Sequence, residues 1–236
     1  MHQFFITVFL FTNALFYSEN QPKTAQSDWI WLFDGTNTNQ WISAKSDQFP
    51  KEGWSIDNKT LVANKGGDKS KRGGDLISRR KFRNFDLRFE FKLTPGANSG
   101  LKYFVKKYPD GGWLGCEYQI IDDAGNKDIA GDKDDKRRTA GLYELFAPSE
   151  RKLKPIGQWN EGRVVVNGKH VEHWLNGVKV VDYERGDERF KAAKAQSKFK
   201  AVEDFGVMAE GHLLLQDHGD ESAFRQIRIR ELPPTP

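Results

Sequence analysis

Two short stretches of this 236-residue chain set ionisable and amide side chains where chemistry could be done. The first is 116–123, Cys-Glu-Tyr-Gln-Ile-Ile-Asp-Asp, a strand-like run. A strand alternates its side chains with period two, so Glu117 and Gln119 share a face. A carboxylate beside an amide in mid-strand is either part of an outer solvated face or the floor of a polar cleft. The second stretch is the turn Asp217-His218-Gly219-Asp220-Glu221, between strand-like runs at 213–216 and 224–230. Four of the 5 histidines, His170, His173, His212 and His218, lie beyond the N-terminal segment. His173 alternates with Val171 and Leu175, the pattern of a core histidine whose ring is satisfied. Its neighbour Glu172 faces the other way, so the two cannot form a dyad on one strand. No HxH or HExxH spacing marks a metal site. The glycines of 66–74 lack the order of a phosphate loop and read as a mobile rim loop. Cys116, the one cysteine, reads as a packed thiol.

The elements that must position these groups are strands. Residues 85–93 (FDLRFEFKL) alternate most clearly, with Phe85, Leu87, Phe89, Phe91 and Leu93 on one face. Residues 29–33 form an opening strand whose aromatics, with Trp41, are expected to pack beneath it. Residues 54–62 read as a hairpin, and Asn167-Gly168 and Asn176-Gly177 mark tight turns. In 224–230, Ile227 and Ile229 oppose Arg228 and Arg230, which describes a half-buried closing strand. Residues 126–138 are polar and irregular, and 139–146 form another short element. One helix is expected over 188–199, serving as a crossover rather than a binding helix. Ten or more strands with one short helix and no internal repeat point to an all-β, antiparallel sandwich.

Composition narrows the partners. The chain carries 37 Lys+Arg against 33 Asp+Glu, a formal net charge of +4. The two signs are interspersed, with no concentrated basic face and no helix-turn-helix, so no nucleic-acid partner is expected. Residues 4–17 are hydrophobic and precede a polar segment, the pattern of a signal peptide over 1–19. A polar linker at 20–28 then leads into one β domain at 29–233. This organisation predicts a secreted or bacterial periplasmic protein. The hydrophobic run is shorter than the roughly 20 residues of a transmembrane helix, so no membrane span is expected after leader removal.

Seven motifs occur in order along the chain: Trp31-Leu32-Phe33-Asp34-Gly35 with Trp41, then Asn98-Ser99-Gly100, then Glu117-Tyr118-Gln119-Ile120-Ile121-Asp122. Gly141-Leu142-Tyr143 and His173-Trp174-Leu175-Asn176-Gly177 follow. Leu215-Gln216-Asp217-His218-Gly219 and Phe224-Arg225-Gln226-Ile227-Arg228 close the set. On these motifs the chain resembles the 3-keto-disaccharide hydrolase family. Members usually carry Asn where this chain has Gln226, a swap that keeps the amide. The resemblance implies a jelly-roll β-sandwich of the concanavalin A-like lectin/glucanase type. It also implies a secreted bacterial enzyme acting on a carbohydrate oxidised at C3, as hydrolase or as lyase/hydratase, with a divalent metal ion in some relatives.

A 3-keto glycoside can be cleaved directly, which needs an acid and a base or nucleophile at the anomeric carbon. It can also be cleaved by elimination, because the ketone acidifies the C2 hydrogen. A base removes that hydrogen, the C1 oxygen leaves, and water adds to the resulting enone. Elimination needs a base near C2, an electrophile for the C3 oxygen and an acid for the leaving group. Under this resemblance Glu117 and His218 are the leading catalytic candidates, with Asp122 and Glu144 the next acids. Lys102, Gln119, Tyr143, Gln216 and Arg225 are candidate substrate partners. A divalent ion on Glu117 with His218 or His173 could supply the electrophile. One rival is a non-catalytic carbohydrate-binding sandwich, which expects an aromatic platform without convergent acids; the other is a structural or partner-binding domain, which expects a flat apolar face and no polar pocket. The enzyme reading requires Glu117 and His218 in one cleft.

Overall fold

The computed structural model describes residues 28–66 and 73–233. The expected leader, nearly all of the linker and most of the 66–74 loop lie outside the described residues. Thirteen strands run in the order β1 (Trp29–Phe33), β2 (Trp41–Ser43), β3 (Trp54–Asp57), β4 (Thr60–Ala63), β5 (Leu76–Phe82), β6 (Phe85–Leu93), β7 (Asn98–Lys107) and β8 (Trp113–Ile121). They continue with β9 (Asn160–Asn167), β10 (His170–Leu175), β11 (Val178–Glu184), β12 (Gly211–Leu215) and β13 (Ser222–Glu231). Helix α1 (Glu188–Gln196) lies between β11 and β12.

Two antiparallel sheets result. The larger has eight strands in the order β11-β10-β9-β6-β13-β4-β3, with β1 also paired to β13. The smaller has the order β2-β5-β12-β7-β8. Strands adjacent in sequence are often in different sheets, so the chain crosses repeatedly between them and builds a jelly-roll β-sandwich. The alternating face of β6 supplies one side of the core, with Phe85, Leu87, Phe89 and Phe91 buried. Tyr103, Tyr118, Ile120, Leu213 and Leu215 of the smaller sheet are buried with them. Phe89 meets the Tyr118 ring edge-on at 5.3 Å between centroids.

Local chemistry sets the details. Asn58 and Lys59 both take positive φ, at 45° and 60°, the geometry a two-residue hairpin demands. Phe104 takes φ 52° at a register shift between β7 and β8, a β-bulge that buries Tyr103 and Phe104 consecutively. Gly211 accommodates that bulge, since a Cβ there would lie 2.4 Å from the Phe104 backbone. The opening aromatics divide between two faces rather than packing together beneath the strand. Leu32, Phe33 and Trp41 are buried, whereas Trp31 is 41 % exposed on the outer face. The helix stops at Gln196, three residues short of the expected end. Asp187 caps its start through the Phe190 amide, and Ser197 caps its end, leaving Lys198 and Phe199 in a turn. No helix of the described residues is long and apolar enough to cross a membrane.

Candidate active site

The site is built on β7 and β8. Register sets Gly100 opposite Gln119 and Lys102 opposite Glu117. Alternation then sends Asn98, Gly100 and Lys102 to the outer face with Gly115, Glu117 and Gln119, while Leu101, Tyr103, Cys116 and Tyr118 enter the core. The outer group floors a cavity of about 130 Å³. Tyr143, Asp128, Lys198 and Phe199 wall it, and Leu114, Gln216 and His218 complete the lining. Gln216 is held on β7 by its backbone, whose N–H donates to Gly100 O at 2.9 Å. Its carbonyl accepts from Ser99 Oγ at 2.8 Å.

Glu117 is only 6 % exposed although it lies on the outer face, because the walls cover it. Burial raises its pKa, while Lys102, Lys198 and His218 pull the other way and Asp75 adds to the rise. Lys102 Nζ stands 3.7 Å from Glu117 Oε2. The carboxylate lies across Gly100, where a Cβ would come within 2.3 Å of Glu117 Oε1. Glycine at 100 is therefore a condition of the site.

The 217–219 turn is anchored by a second acid. Asp217 accepts from the Gly74 and Gly219 N–H groups, each at 2.9 Å. Its own N–H donates to Asp75 Oδ1 at 2.9 Å. Burial raises Asp75, and the Lys102 charge is the main opposing influence. Two carboxyl groups with raised pKa values thus share the Lys102 field, an arrangement common where protons are exchanged. On the opposite wall the Lys198 ammonium sits 4.3 Å from the Tyr143 ring centroid. Although Lys198 keeps an exposed surface, desolvation lowers its pKa against the pull of Glu117 and Glu144. Burial, followed by the charge of Glu117, pushes the Tyr143 hydroxyl up to about 12. Asn98 donates to Asp128 Oδ2 at 3.1 Å, but its own Oδ1 is buried with no partner. Such an orphaned acceptor is costly unless a ligand hydroxyl satisfies it.

Six of the expected residues therefore converge: Glu117, His218, Lys102, Gln119, Tyr143 and Gln216. Four do not line the cavity. Asp122 closes the turn after β8, accepting from the N–H groups of Gly96, Ala124 and Gly125. Burial would raise it, yet these three donors hold it below the usual carboxylate range. Glu144 turns away at φ 68° and pairs with Arg137 Nε at 2.8 Å. Arg225 belongs to the other sheet, where it pairs with Glu90 at 2.6 Å and stacks on Trp159. His173 is fully buried between the sheets. Its Nδ1 faces Ala140 O at 3.0 Å and its Nε2 faces Tyr103 Oη at 2.8 Å. Burial lowers its pKa to about 4. Both ring nitrogens are engaged, so the metal arrangement that would join His173 to Glu117 is not formed.

The sequence reading missed Asp75, Asn98, Asp128 and Lys198. Asn98 lies inside the Asn98-Ser99-Gly100 motif, but nothing in that motif shows its side chain turned into the cavity. Lys198 was assigned to the helix, and only the early helix stop brings it to the cavity.

The chemistry of the donor set also tests the fit of a divalent ion. Among the described residues, one group of three His and acid side chains has ligand atoms within 4.8 Å of one another: His170, Glu172 and Asp182. This cluster could coordinate a divalent metal, although Lys179 Nζ now bridges Glu172 and Asp182. It lies on β10 and β11 of the larger sheet, away from Glu117. In the cavity, Lys102 and Lys198 already oppose the Glu117 charge. The cavity residues do not fit the expected Glu117-based ion site.

Comparison with known proteins bears on the family and the fold. The family described as the 3-keto-alpha-glucoside-1,2-lyase-like domain matches residues 28–230. A 3-keto-disaccharide hydrolase of Bacteroides thetaiotaomicron is 32 % identical over 228 residues, covering 86 % of this chain and 78 % of the relative. A Parabacteroides distasonis crystal structure, described provisionally as a glycosyl hydrolase, superposes with TM-score 0.77 at 27 % identity. The match covers 87 % of this chain and 94 % of that one. A second structure from the same organism, described in the same way, gives TM-score 0.62 at 25 % identity, over 86 % and 99 % of the two chains.

Proposed function

Because this chain belongs to the 3-keto-alpha-glucoside-1,2-lyase-like family, we propose that it cleaves the glycosidic bond of a 3-keto glycoside by elimination and rehydration. The observation that carries this reading is Glu117: a buried carboxyl with a raised pKa, facing Lys102 inside a cavity that also holds His218. A base works best when its pKa approaches the working pH, and burial moves Glu117 in that direction.

In this mechanism the Glu117 carboxylate takes the C2 hydrogen as a proton. The electron pair moves into the C2–C3 bond and the C3 oxygen becomes an enolate. The Lys102 ammonium holds that oxygen, assisted by Lys198. The enolate then collapses, the C1–oxygen bond breaks, and His218 protonates the departing alcohol. Water adds its oxygen to C1 of the enone and gives one proton back to His218, while Glu117, its proton exchanged with solvent in the interval, delivers a proton to C2. The products are the free 3-keto sugar and the alcohol, so the sum is hydrolysis. Asn98 Oδ1 and the amides of Gln119 and Gln216 are suited to orient ring hydroxyls. The sugar-binding alternative expects an aromatic platform without acids, whereas Glu117, Asp128, Lys102 and Lys198 converge on this cavity.

Incubation with a 3-keto disaccharide in D₂O tests the reading, with product held in D₂O without enzyme as the control. Deuterium at C2 of the product above that control is expected. Cleavage with no such incorporation would overturn it in favour of direct hydrolysis. A parallel arm with a chelator addresses the lysines: incorporation that persists supports them, and incorporation restored only by a divalent ion would replace them.

A further inference from the structure

The outer face of the eight-stranded sheet carries a row of side chains drawn from five adjacent strands. Trp31 on β1 stands opposite Arg228 on β13, and Arg228 opposite Arg88 on β6. Arg88 stands opposite Arg163 on β9, and Arg163 opposite Trp174 on β10. Strands lie about 4.8 Å apart, so the row runs about 19 Å from one tryptophan to the other, with one arginine per strand between them.

This row is costly as architecture. Like charges directly opposite on neighbouring strands destabilise a sheet, and here three follow in succession. Asp86 is the buried counter-ion: Arg163 grips it at 2.7 and 3.0 Å, Arg230 lies at 3.3 Å and Arg88 at 3.5 Å. Glu161 borders the row but takes part in none of the ion pairs of the described residues. Arg228 likewise has no carboxylate partner among them. Instead the guanidinium groups are held by rings: Arg88, Arg228 and Arg230 each stack on Trp29 at 5.1–5.3 Å, and Arg163 on Trp174 at 5.3 Å. The Nε atoms of Arg88, Arg228 and Arg230 are buried without a hydrogen-bond partner. The rings hold these cations close to the sheet, and a guanidinium is suited to recognise a planar carboxylate.

We propose that this row is a binding surface for an acidic polysaccharide with one carboxylate per ring, lying across the strands. Such a polymer carries one carboxylate per ring, and the row offers one arginine on each of three adjacent strands to those that face the sheet. A depression of about 160 Å³ lined by Arg88, Arg163, Trp174, Gly177 and the carboxylate of Glu161 receives one ring, its carboxylate turned to the arginines, and the exposed Trp31 offers an apolar surface at the other end. Nucleic acid is a poorer match, because its bases would need several free ring faces to stack on, and arginines lie over the rings of Trp29, Trp174 and, at 5.6 Å, Trp31. The surface is on the sheet opposite the cavity, so the proposal stands independently of the reaction assigned there.

Native electrophoresis of the full chain through gels containing polygalacturonate, neutral dextran or no polymer tests the proposal. Retardation by polygalacturonate alone is expected, and it should weaken as ionic strength rises. In Arg88→Gln/Arg228→Gln the apparent Kd should rise about tenfold or more, with cleavage of a 3-keto disaccharide unchanged. The Tm of Arg228→Gln should stay level or rise, since a like-charge contact is relieved. Absence of retardation, retardation insensitive to these substitutions, or tighter binding of DNA than of polygalacturonate would overturn the proposal. A lowered Tm in Arg228→Gln would do so too, by making the row structural.

Discussion

Burial of the Glu117 carboxyl has opposite consequences for stability and for turnover. A carboxyl whose folded pKa is raised favours the protonated folded state. Its contribution is fully present below the ordinary carboxylate pKa and is lost as pH rises through the raised folded value. Glu117→Gln keeps the shape and removes the ionisation. The variant should therefore melt higher than the parent above that folded pKa, and the gap should close in acid. Its turnover should fall about 10²- to 10⁴-fold. Melting curves across pH, paired with initial rates, read both effects; a variant less stable at every pH would contradict the account. Gly100→Ala probes the same carboxylate from beneath. Its Cβ would displace Glu117 Oε1, and a shift of about 1 Å at a reacting group can cost about 10²-fold in rate. The expected result is a large loss of kcat in a chain that still folds, checked by circular dichroism alongside kinetics.

At the scale of elements, the β7–β8 pair provides the floor and the 138–146 segment the wall. That segment is pinned from the core: Ala140 and Glu144 take φ 70° and 68°, and the Tyr143 N–H donates to Glu117 O at 3.1 Å. Beneath it, His173 holds Ala140 O while Tyr103 joins His173 to Tyr183. The Ala140 carbonyl can only accept, so His173 carries its proton on Nδ1 and is neutral. Its folded pKa of about 4 lies below the ordinary histidine value. The linked stability is therefore present above about pH 6.5 and is lost as pH falls toward 4. His173→Gln should flatten this part of the stability–pH curve, as measured by denaturant titration; an unchanged slope would contradict it. The alternation of Glu117 and Gln119 was legible in the sequence, as was the turn at His218. The departures have local causes. Asp122 was read as a strand-end acid, but three backbone N–H groups claim it. Lys198 escaped notice because Ser197 stops the helix early.

Across the whole molecule, strand alternation and turn residues made the sandwich readable, since each strand carries its own pattern. What no linear pattern carries is which strands become neighbours. Arg225 follows the His218 turn closely in sequence, yet β13 takes it to the larger sheet, where it pairs with Glu90. The same topology gathers Arg88, Arg163 and Arg228 from separate strands. Charges of both signs are interspersed along the chain with no sign of a concentrated basic face, yet the fold gathers these arginines into one. Asp75, just before β5, likewise acts on the site from behind its lining, accepting the Asp217 N–H and standing in the field of Lys102. The two sheets thus carry different chemistry on their outer faces, acids with lysines on one and arginines with tryptophans on the other.

The most direct test of the central claim is a single turnover of 3-keto disaccharide bearing deuterium at C2, in ordinary water, with rate and product mass followed together. If Glu117 removes that hydrogen before the C1–oxygen bond breaks, cleavage is slowed several-fold or the product emerges with hydrogen at C2. Cleavage at full speed with the label wholly retained would contradict the account.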